Sequence, residues 1–342
     1  MKRIDFRSDT VTQPTAGMMK AMMAAELGDD VFGEDPTVKK LEAILAERAG
    51  MESAIFAPSG TQTNLMAILA HCERGDEYIV GQTAHTYLWE GGGAAVLGSV
   101  QPQPLDFESD GTLSLAKVAM VVKPVEDHHP RSRLLCLENT LSGKVLPLHY
   151  LKTIHSFCRE QGLSAHLDGA RVFNAVVHTG VELHEISQRF DSVSICLSKG
   201  LGAPVGSVLC GSRELIRKAK RWRKVLGGGM RQAGLLAAAG LYALEHHVTR
   251  LEEDHDHALL LAQQLADIDA IRVESVATNI LFVKADDHYP QLQAYLDKQG
   301  IIWPKKANKS GQLRLVTHLD IHREDIKRTI QEVKKFYTQL RS

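Results

Sequence analysis

The feature that most constrains the fold of this chain is a pair of charged residues, each at the end of a predicted strand. Residues 192–197 alternate polar and apolar side chains, which predicts a strand that ends just before Lys199. A glycine-rich loop, 200–206, follows and would let a flat ligand approach the backbone. An earlier predicted strand, 164–168, ends at Asp168. A lysine and a carboxylate in these positions could serve one bound ligand.

Pyridoxal phosphate is a ligand that requires both groups. It attaches covalently to a lysine, and a carboxylate keeps its pyridine nitrogen protonated so that the ring can take up carbanion charge. Each residue also has an ordinary explanation, because a lysine after a strand is usually a solvated loop charge and Asp-Gly usually marks a turn. A phosphate site nearby would favour the cofactor over these explanations.

A phosphate site is predicted where the short apolar strand 53–57 turns into a helix. The turn, 58–62, consists of small and polar residues, and apolar residues follow at 65–69 on one helix face. Such a turn directs backbone N–H groups and the positive end of the helix dipole toward an anion. Ser-Gly-Thr also opens many helices as cap chemistry, so the signal depends on the lysine and the aspartate.

The order of predicted elements indicates an α/β fold. Strands alternate with helices, which favours a mostly parallel sheet covered by helices on both faces. Ligands of such sheets bind beyond the carboxyl ends of the strands, where Asp168, Lys199 and the turn at 58–61 all fall. We predict a large cofactor-binding domain over 1–250 and a smaller C-terminal α+β domain over 251–342.

Composition and charge argue against several classes of partner. Forty basic residues balance 41 acidic ones, so no overall field would draw the chain to nucleic acid or to an anionic membrane. No apolar run reaches membrane-spanning length, and the first residues are too polar for a signal peptide. Five scattered cysteines favour reduced thiols in the cytoplasm.

Two charged segments have simple explanations. The predicted basic helix 214–224 is interpreted as a solvated helix face. A long helical region is predicted over 232–266, and it contains the run Asp254-His-Asp-His257. Adjacent residues do not share a helix face, so we expect no metal site there.

Eight blocks spread along the chain carry a further signal. The blocks are 7–12, 28–36, 59–62, 137–140, 166–171, 196–202, 227–232 and 314–318. In these blocks the chain resembles the low-specificity L-threonine aldolases, which are fold-type I pyridoxal-phosphate enzymes. Several blocks in the same order are more specific than a fold alone. The resemblance implies reversible retro-aldol cleavage of L-threonine or L-allo-threonine to glycine and acetaldehyde.

The resemblance also implies the residues that hold the cofactor. Lys199 would bind it covalently, Asp168 would face its pyridine nitrogen, and His85 would lie against its ring. Gly60 and Thr61 would hold its phosphate group.

Further residues would complete the site and connect it to a second subunit. Ser8, Arg171 and Arg314 would hold the substrate carboxylate, a task that suits the planar guanidinium group, and Arg171 would also line the cofactor site. Ser8 lies in an extended arm, 1–12. Members of the family are usually homotetramers built as dimers of dimers, and Arg231 would reach the phosphate of the neighbouring subunit.

The identity of the catalytic base stays open at this point. His85 and His128 are the candidates for positioning or deprotonating the substrate hydroxyl, because histidine titrates near neutrality. A bound water is the third candidate. His128 lies in the polar loop 126–130, where a histidine is more often solvated than catalytic.

Three positions depart from the family pattern. Phe32 stands where many relatives have tyrosine, so a hydroxyl contact is lost there. Trp89 replaces a common phenylalanine and is expected to reshape the aldehyde pocket. The polar loop 305–311 changes the approach to Arg314.

Two alternative functions remain to be compared with the aldolase. One is another fold-type I lyase or transferase, such as a serine hydroxymethyltransferase, an aminotransferase or a β-eliminating enzyme. The other is a non-catalytic module that kept the fold. The histidine pair and the arm favour the aldolase, and a scaffold would be expected to lose the lysine, the aspartate or the arginines.

Overall fold

The computed structural model describes residues 2–341, which form twelve strands and fourteen α-helices. The strands are β1 (Ile4–Asp5), β2 (Ser53–Ala57), β3 (Asp76–Gly81), β4 (Gln101–Leu105), β5 (Arg131–Glu138), β6 (Ser164–Gly169), β7 (Ser192–Cys196), β8 (Ser207–Gly211), β9 (Ile271–Ala277), β10 (Ile280–Ala285), β11 (Ile301–Ile302) and β12 (Leu313–Val316). The helices are α1 (Ala16–Met23), α2 (Pro36–Arg48), α3 (Gly60–His71), α4 (His85–Leu88), α5 (Gly93–Gly98), α6 (Leu115–Val121), α7 (Leu148–Glu160), α8 (Val172–Thr179), α9 (Leu183–Ser187), α10 (Arg213–Val225), α11 (Gly234–His246), α12 (Leu251–Ala266), α13 (Tyr289–Lys298) and α14 (Arg323–Arg341).

The central sheet has seven strands in the order β2-β8-β7-β6-β5-β3-β4. The five strands from β7 to β4 pair in parallel, whereas β8 is antiparallel to both of its neighbours. The loop between β7 and β8 is too short for a helical crossover, so the chain reverses there. The prediction of a mostly parallel sheet flanked by helices is confirmed.

Helices cover the sheet because their caps and apolar faces direct them onto it. The side chain of Asp35 accepts the N–H groups of Thr37 and Val38 and begins α2, with Pro36 at its first position. Five strands of the central sheet each bury an apolar residue in the largest core, namely Phe56, Ile79, Leu135, Leu167 and Ile195. These buried strands hold in place the carboxyl edge of the sheet, from which the loops that carry the predicted site residues begin.

A second core lies around an antiparallel sheet of order β12-β10-β9. The first residues of the chain join this core, since Ile4 and Phe6 are fully buried in it and β1 pairs in parallel with β11. The N-terminal arm therefore packs on the C-terminal part of the chain. The division at residue 250 stays a prediction.

Two predicted segments differ from the structure. The region 232–266 is two helices rather than one, because α11 ends where Nδ1 of His247 bonds to the carbonyl oxygen of Leu201 at 2.7 Å. The arm also contains a 3₁₀ turn at Asp9–Val11, capped by Ser8. Within residues 2–341, no helix combines the length and the apolar character that crossing a bilayer requires.

Candidate active site

Three of the predicted site residues, Asp168, Lys199 and His85, lie at the carboxyl edge of the central sheet. In the strand register Asp168 on β6 lies opposite Glu138 on β5 and Ser194 on β7. The chain leaving β7 reaches Lys199, and the chain leaving β3 reaches His85. Parallel strands thus bring side chains that are distant in sequence to one crevice.

Asp168 is a buried carboxylate that is held in one orientation. Its Oδ1 accepts the backbone N–H of Ala170 at 3.0 Å, and its Oδ2 accepts Nδ2 of Asn64 at 2.9 Å. Both partners are donors, so the carboxylate is presented as an acceptor. This suits a protonated ring nitrogen.

Lys199 is half-buried, and its backbone is fixed while its amine is free. Its carbonyl oxygen accepts the hydroxyl of Thr12 at 2.9 Å, which ties the N-terminal arm to this loop. Over residues 2–341 the Lys199 amine has no hydrogen bond and no ion pair. An unpaired lysine amine in a crevice suits covalent attachment of an aldehyde cofactor.

The N-terminus of α3 offers an anion site. The hydroxyl of Ser59 caps the helix by accepting the N–H of Gln62 at 3.2 Å. The N–H groups of Gly60 and Thr61 have no acceptor within the described part of the chain. Unpaired N–H groups at the positive end of a helix dipole bind phosphate well. The donor set at this edge therefore fits pyridoxal phosphate.

Arg171 and Arg314 form the positive part of the site. Nε and Nη2 of Arg171 donate to the two oxygens of Asp9, at 2.8 and 2.6 Å. Burial alone would raise the pKa of Asp9, but the charge and hydrogen bonds of Arg171 outweigh it and lower the pKa to about 2.

Arg314 adds a second positive charge, which the single carboxylate of Asp9 does not balance. It lies on β12, and partial burial of its charged end, followed by the charge of Arg171, lowers the pKa of Arg314. Asp9 acts in the opposite direction. The carboxylate of Asp9 is already bound by Arg171, and the Arg314 guanidinium has no hydrogen bond or ion pair over residues 2–341, so a further carboxylate is favoured beside these positive charges.

Ser8 stands at the start of the 3₁₀ turn beside these groups. Its hydroxyl oxygen accepts the N–H of Thr10 at 3.2 Å and the hydroxyl of Thr10 at 2.9 Å. The hydroxyl hydrogen of Ser8 therefore remains able to donate to a ligand.

His85 is joined to the buried carboxylates around it. Its Nδ1 lies 2.8 Å from Oε1 of Glu90, and its backbone N–H donates to Oε2 of Glu138 at 2.9 Å. The hydrogen bond to Glu90 raises the pKa of His85, whereas burial raises the pKa of Glu90 and of Glu138. A proton is readily held at this histidine.

Ligand atoms of His85, Glu90 and Asp168 lie within 4.8 Å of one another, a spacing that a metal ion could also use. The amide nitrogen of Asn64, however, donates to both carboxylates. A cation there would meet the positive end of that amide. We therefore interpret the group as a hydrogen-bonded set.

Two predicted residues lie apart from this cluster in the single chain. Arg231 is exposed, pairs with Asp29 at 2.9 Å and lies 5.9 Å over the ring of Phe32. His128 is exposed, and no hydrogen bond or ion pair joins it to the site within residues 2–341. Their predicted roles stay predictions.

The family departures lie at the surface of the single chain. Phe32 and Trp89 are 75% and 71% exposed, far more than large aromatic side chains usually are. The loop 305–311 is a turn organised by Asn308, whose Oδ1 accepts two backbone N–H groups.

Four residues of the site were missed by sequence reasoning, namely Asp9, Asn64, Glu90 and Glu138. Asp9 and Glu138 lie inside blocks that carried the resemblance, but a carboxylate there gave no separate signal. Asn64 could have been noticed in the sequence, because it is a polar residue beside the apolar run at 65–69. Glu90 follows a one-turn helix that periodicity cannot detect.

Comparisons with known proteins agree with this arrangement. The sequence model of the beta-eliminating lyase family matches residues 5–288. The low-specificity L-threonine aldolase of Escherichia coli strain K12 is 57% identical over 94% of this chain and 96% of its own length. The low-specificity L-threonine aldolase 1 of Arabidopsis thaliana is 42% identical over 96% of this chain and 95% of its own length.

A solved structure supports the fold. A threonine aldolase from Leishmania major superimposes with a TM-score of 0.83 at 22% identity, covering 97% of this chain and 99% of that one. The predicted fold-type I class is thereby confirmed, as is the resemblance first drawn from the eight sequence blocks. With curated relatives this similar over nearly the whole length, the chain belongs to the low-specificity L-threonine aldolase family, within the beta-eliminating lyases.

Proposed function

We propose that this chain cleaves L-threonine, L-allo-threonine and other L-3-hydroxy-2-amino acids reversibly to glycine and an aldehyde. Acetaldehyde is the aldehyde released from threonine. The proposed cofactor is pyridoxal 5′-phosphate, bound through Lys199. The observation that carries the proposal is that the carboxyl edge of the central sheet brings together an unpaired lysine, the oriented carboxylate of Asp168 and Arg171.

The arginine pair explains how an amino acid would be bound. Arg171 has two donors engaged by Asp9, so the plane of its guanidinium is fixed, and its remaining donors have no hydrogen-bond partner over residues 2–341. Arg314 supplies the second positive charge, and Ser8 supplies a hydroxyl donor. Together they would orient the substrate carboxylate and set the direction in which the Cα–Cβ bond projects.

Pyridoxal phosphate, when bound, supplies an electron sink for the charge left on Cα as the Cα–Cβ bond breaks. Asp168 is built to face the ring nitrogen, because its two donors fix it as an acceptor. Gly60 and Thr61 would hold the phosphate with their free N–H groups.

The base that accepts the hydroxyl proton is proposed to be His85, His128 or a bound water. Nε2 of His85 has no hydrogen-bond partner over residues 2–341, so it can face a ligand. Trp89 follows the same short helix and would border the aldehyde pocket.

The test is a visible spectrum of the purified protein, recorded before and after L-threonine is added, with acetaldehyde detected by a coupled alcohol dehydrogenase. We expect a cofactor band that Lys199→Ala abolishes, together with acetaldehyde release in the absence of folate. The band without acetaldehyde would move the assignment to another lyase or transferase. Transamination with 2-oxo acids would identify an aminotransferase.

We also propose a homotetramer, a dimer of dimers with the site at the dimer interface. Several large apolar side chains are exposed in the single chain, and Arg231 is exposed as well. The exposed residues are Phe32, Leu88, Trp89, Val96 and Leu97. Exposed apolar patches of this kind mark interaction surfaces.

Subunit mixing tests whether Arg231 serves the neighbouring site. If it does, a hybrid of Lys199→Ala and Arg231→Ala subunits contains one intact site, and mixing raises activity above that of either parent. If Arg231 serves its own subunit, both sites of the hybrid are damaged and mixing gives no gain. Light scattering measures the number of subunits.

A cytoplasmic location is proposed as well. All five cysteines are free and buried, as expected of reduced thiols. Fractionation of cells expressing the untagged chain would test this location.

A further inference from the structure

A buried hydrogen-bond network joins Asp168 to His85 through two residues outside the predicted site. Asn64 donates one amide hydrogen to Oδ2 of Asp168 at 2.9 Å and the other to Oε1 of Glu90 at 2.8 Å. The same oxygen of Glu90 lies 2.8 Å from Nδ1 of His85. One amide group therefore holds two carboxylates at a fixed spacing.

The far side of the network determines which way Asn64 faces. Nε2 of His166 lies 3.2 Å from Oδ1 of Asn64, and Nδ1 of His166 lies 2.8 Å from the hydroxyl of Ser192. Burial lowers the pKa of His166 to about 3, so the ring is neutral and carries one hydrogen. The carboxylates of Asp168 and Glu90 can only accept hydrogen bonds, so the amide nitrogen of Asn64 must face them. The amide oxygen of Asn64 therefore accepts a hydrogen bond from His166.

The same logic continues to the end of α3. Because His166 donates from Nε2, its Nδ1 accepts from Ser192, and the hydroxyl oxygen of Ser192 accepts from Nε2 of His71 at 2.8 Å. The network thus has a single arrangement of hydrogens. Asn64 is locked at both ends and cannot exchange its nitrogen and oxygen.

We propose that Glu90, held by Asn64, is the positioning residue for His85. Nδ1 of His85 carries the hydrogen that donates to Glu90, which leaves Nε2 without a hydrogen-bond partner over residues 2–341. The Glu90 side chain is 4% exposed, whereas that of His85 is 40% exposed. A buried acceptor thus orients a side chain that is open to ligand. The catalytic task of His85 rests on the proposed function, whereas the orientation of its ring does not.

Four charged groups act on the His85 ring. Glu90 favours the protonated ring through its hydrogen bond, Asp168 does so through its charge, and Lys199 opposes them. Glu138 interacts with His85 through its charge as well, and it accepts the backbone N–H of His85. Glu90 is the one that contacts the ring, so neutralising it should change the titration of His85 most.

Glu90→Gln is the decisive variant, because it keeps the shape and an acceptor oxygen while removing the charge. In holoenzyme labelled at histidine Cε1, NMR identifies His85 as the resonance missing from His85→Asn. We expect the His85 midpoint to fall by about one pH unit in Glu90→Gln. In Glu90→Ala, where orientation is lost too, kcat for threonine should fall roughly tenfold to a hundredfold with little change in KM.

Asp286→Asn is the matched control. Asp286 is half-buried, pairs with His288 at 3.2 Å and accepts the hydroxyl of Tyr337 at 3.0 Å in the second core, so its substitution should leave the His85 midpoint and threonine cleavage unchanged. A His85 midpoint equal to that of the wild type in folded Glu90→Gln would overturn the inference. A shifted midpoint without any acetaldehyde release would support the network and count against the proposed function.

Discussion

Asp9 holds the guanidinium group of Arg171 by two hydrogen bonds, and the Asp9 side chain is fully buried beneath it. Nδ2 of Asn279, on the turn between β9 and β10, donates to the same carboxylate at 3.4 Å. The arm, the central sheet and the second core therefore meet at one ion pair. Any change to this pair should affect both folding and substrate binding.

Asp9→Asn is expected to destabilise the protein by about 3–5 kcal/mol, because the buried charge of Arg171 loses its counter-ion. We also expect the KM for threonine to rise, since Arg171 is no longer held in one plane. Urea unfolding and initial-rate kinetics measure the two effects. Glu108→Gln is the control, because its pair with Lys117 is exposed and should contribute less than about 1 kcal/mol. Equal losses in both variants would contradict the expectation.

The buried histidines of the network should make the fold sensitive to acid. Burial lowers the pKa of His71 to about 4 and that of His166 to about 3, against 6.5 for an ordinary histidine. The unfolded chain takes up these protons first, so stability is present above pH 6.5 and is lost as the pH falls toward 4. Each histidine should contribute about 1.4 kcal/mol per pH unit in that window.

Urea unfolding at several pH values checks this prediction. His71→Gln keeps a donor toward Ser192 but cannot be protonated, so its stability should depend less steeply on pH. His149→Gln, at an exposed position, should leave the slope unchanged. The same slope in His71→Gln and in the wild type would show that this histidine does not oppose folding in acid.

A buried carboxyl at Glu42 should have the opposite effect on stability. Burial raises the pKa of Glu42 to about 7, and Asp30 adds to this while Arg223 opposes it. The folded state holds this proton more tightly than the unfolded chain, so the contribution is fully present below pH 4.5 and is lost as the pH rises to 7.

Glu42→Gln should therefore stabilise the protein above pH 7 by about 2 kcal/mol and have little effect near pH 4.5. The amide oxygen can still accept the N–H of Phe56, which Glu42 binds at 2.8 Å. Thermal unfolding at both pH values measures the difference. An equal gain in stability at both pH values would show that the effect comes from packing rather than from ionisation of Glu42.

Gly60→Ala should weaken cofactor binding without weakening the fold. A Cβ at this position would meet Cβ and Sγ of Cys196 at 4.0 Å, which is ordinary contact, and it would stand beside the free N–H groups that are proposed to hold the phosphate. We expect the affinity for pyridoxal phosphate to fall about tenfold, roughly the value of one hydrogen bond to a charged group. Titration of the cofactor-free protein, followed by fluorescence, measures the change.

Pyridoxal, which lacks the phosphate, is the matched ligand. Its affinity should be the same for Gly60→Ala and for the wild type. An equal loss for both ligands would place the effect of the methyl group at the ring rather than at the phosphate.

Much of the fold could be predicted because its strands are buried and regular in pattern. Strand β2 was predicted with its observed bounds, since its apolar run is followed by a clear turn. Strand β4, with two prolines, was missed. It lies at the edge of the sheet, where proline is tolerated on the side that has no partner.

Site residues could be predicted from the sequence only where they lie at predicted strand ends or within the blocks that carry the family resemblance. Asp168 and Lys199 are visible because Asp168 ends one predicted strand and Lys199 closely follows another. The pairing of Glu90 with Asn64 depends on where a one-turn helix lies against α3, which is a property of tertiary packing. A local sequence pattern contains no information about that distance.

The pairing of β1 with β11 has a consequence for synthesis on the ribosome. Ile4 lies beside Ile301, so β1 has no strand partner until β11, far along the chain, has been translated. Thr12 and Asp9, which follow β1, bond to the carbonyl oxygen of Lys199 and to the Arg171 guanidinium in the finished fold. The crevice should therefore be completed among the last events of folding, and an immature chain would hold its lysine without the arm that covers it.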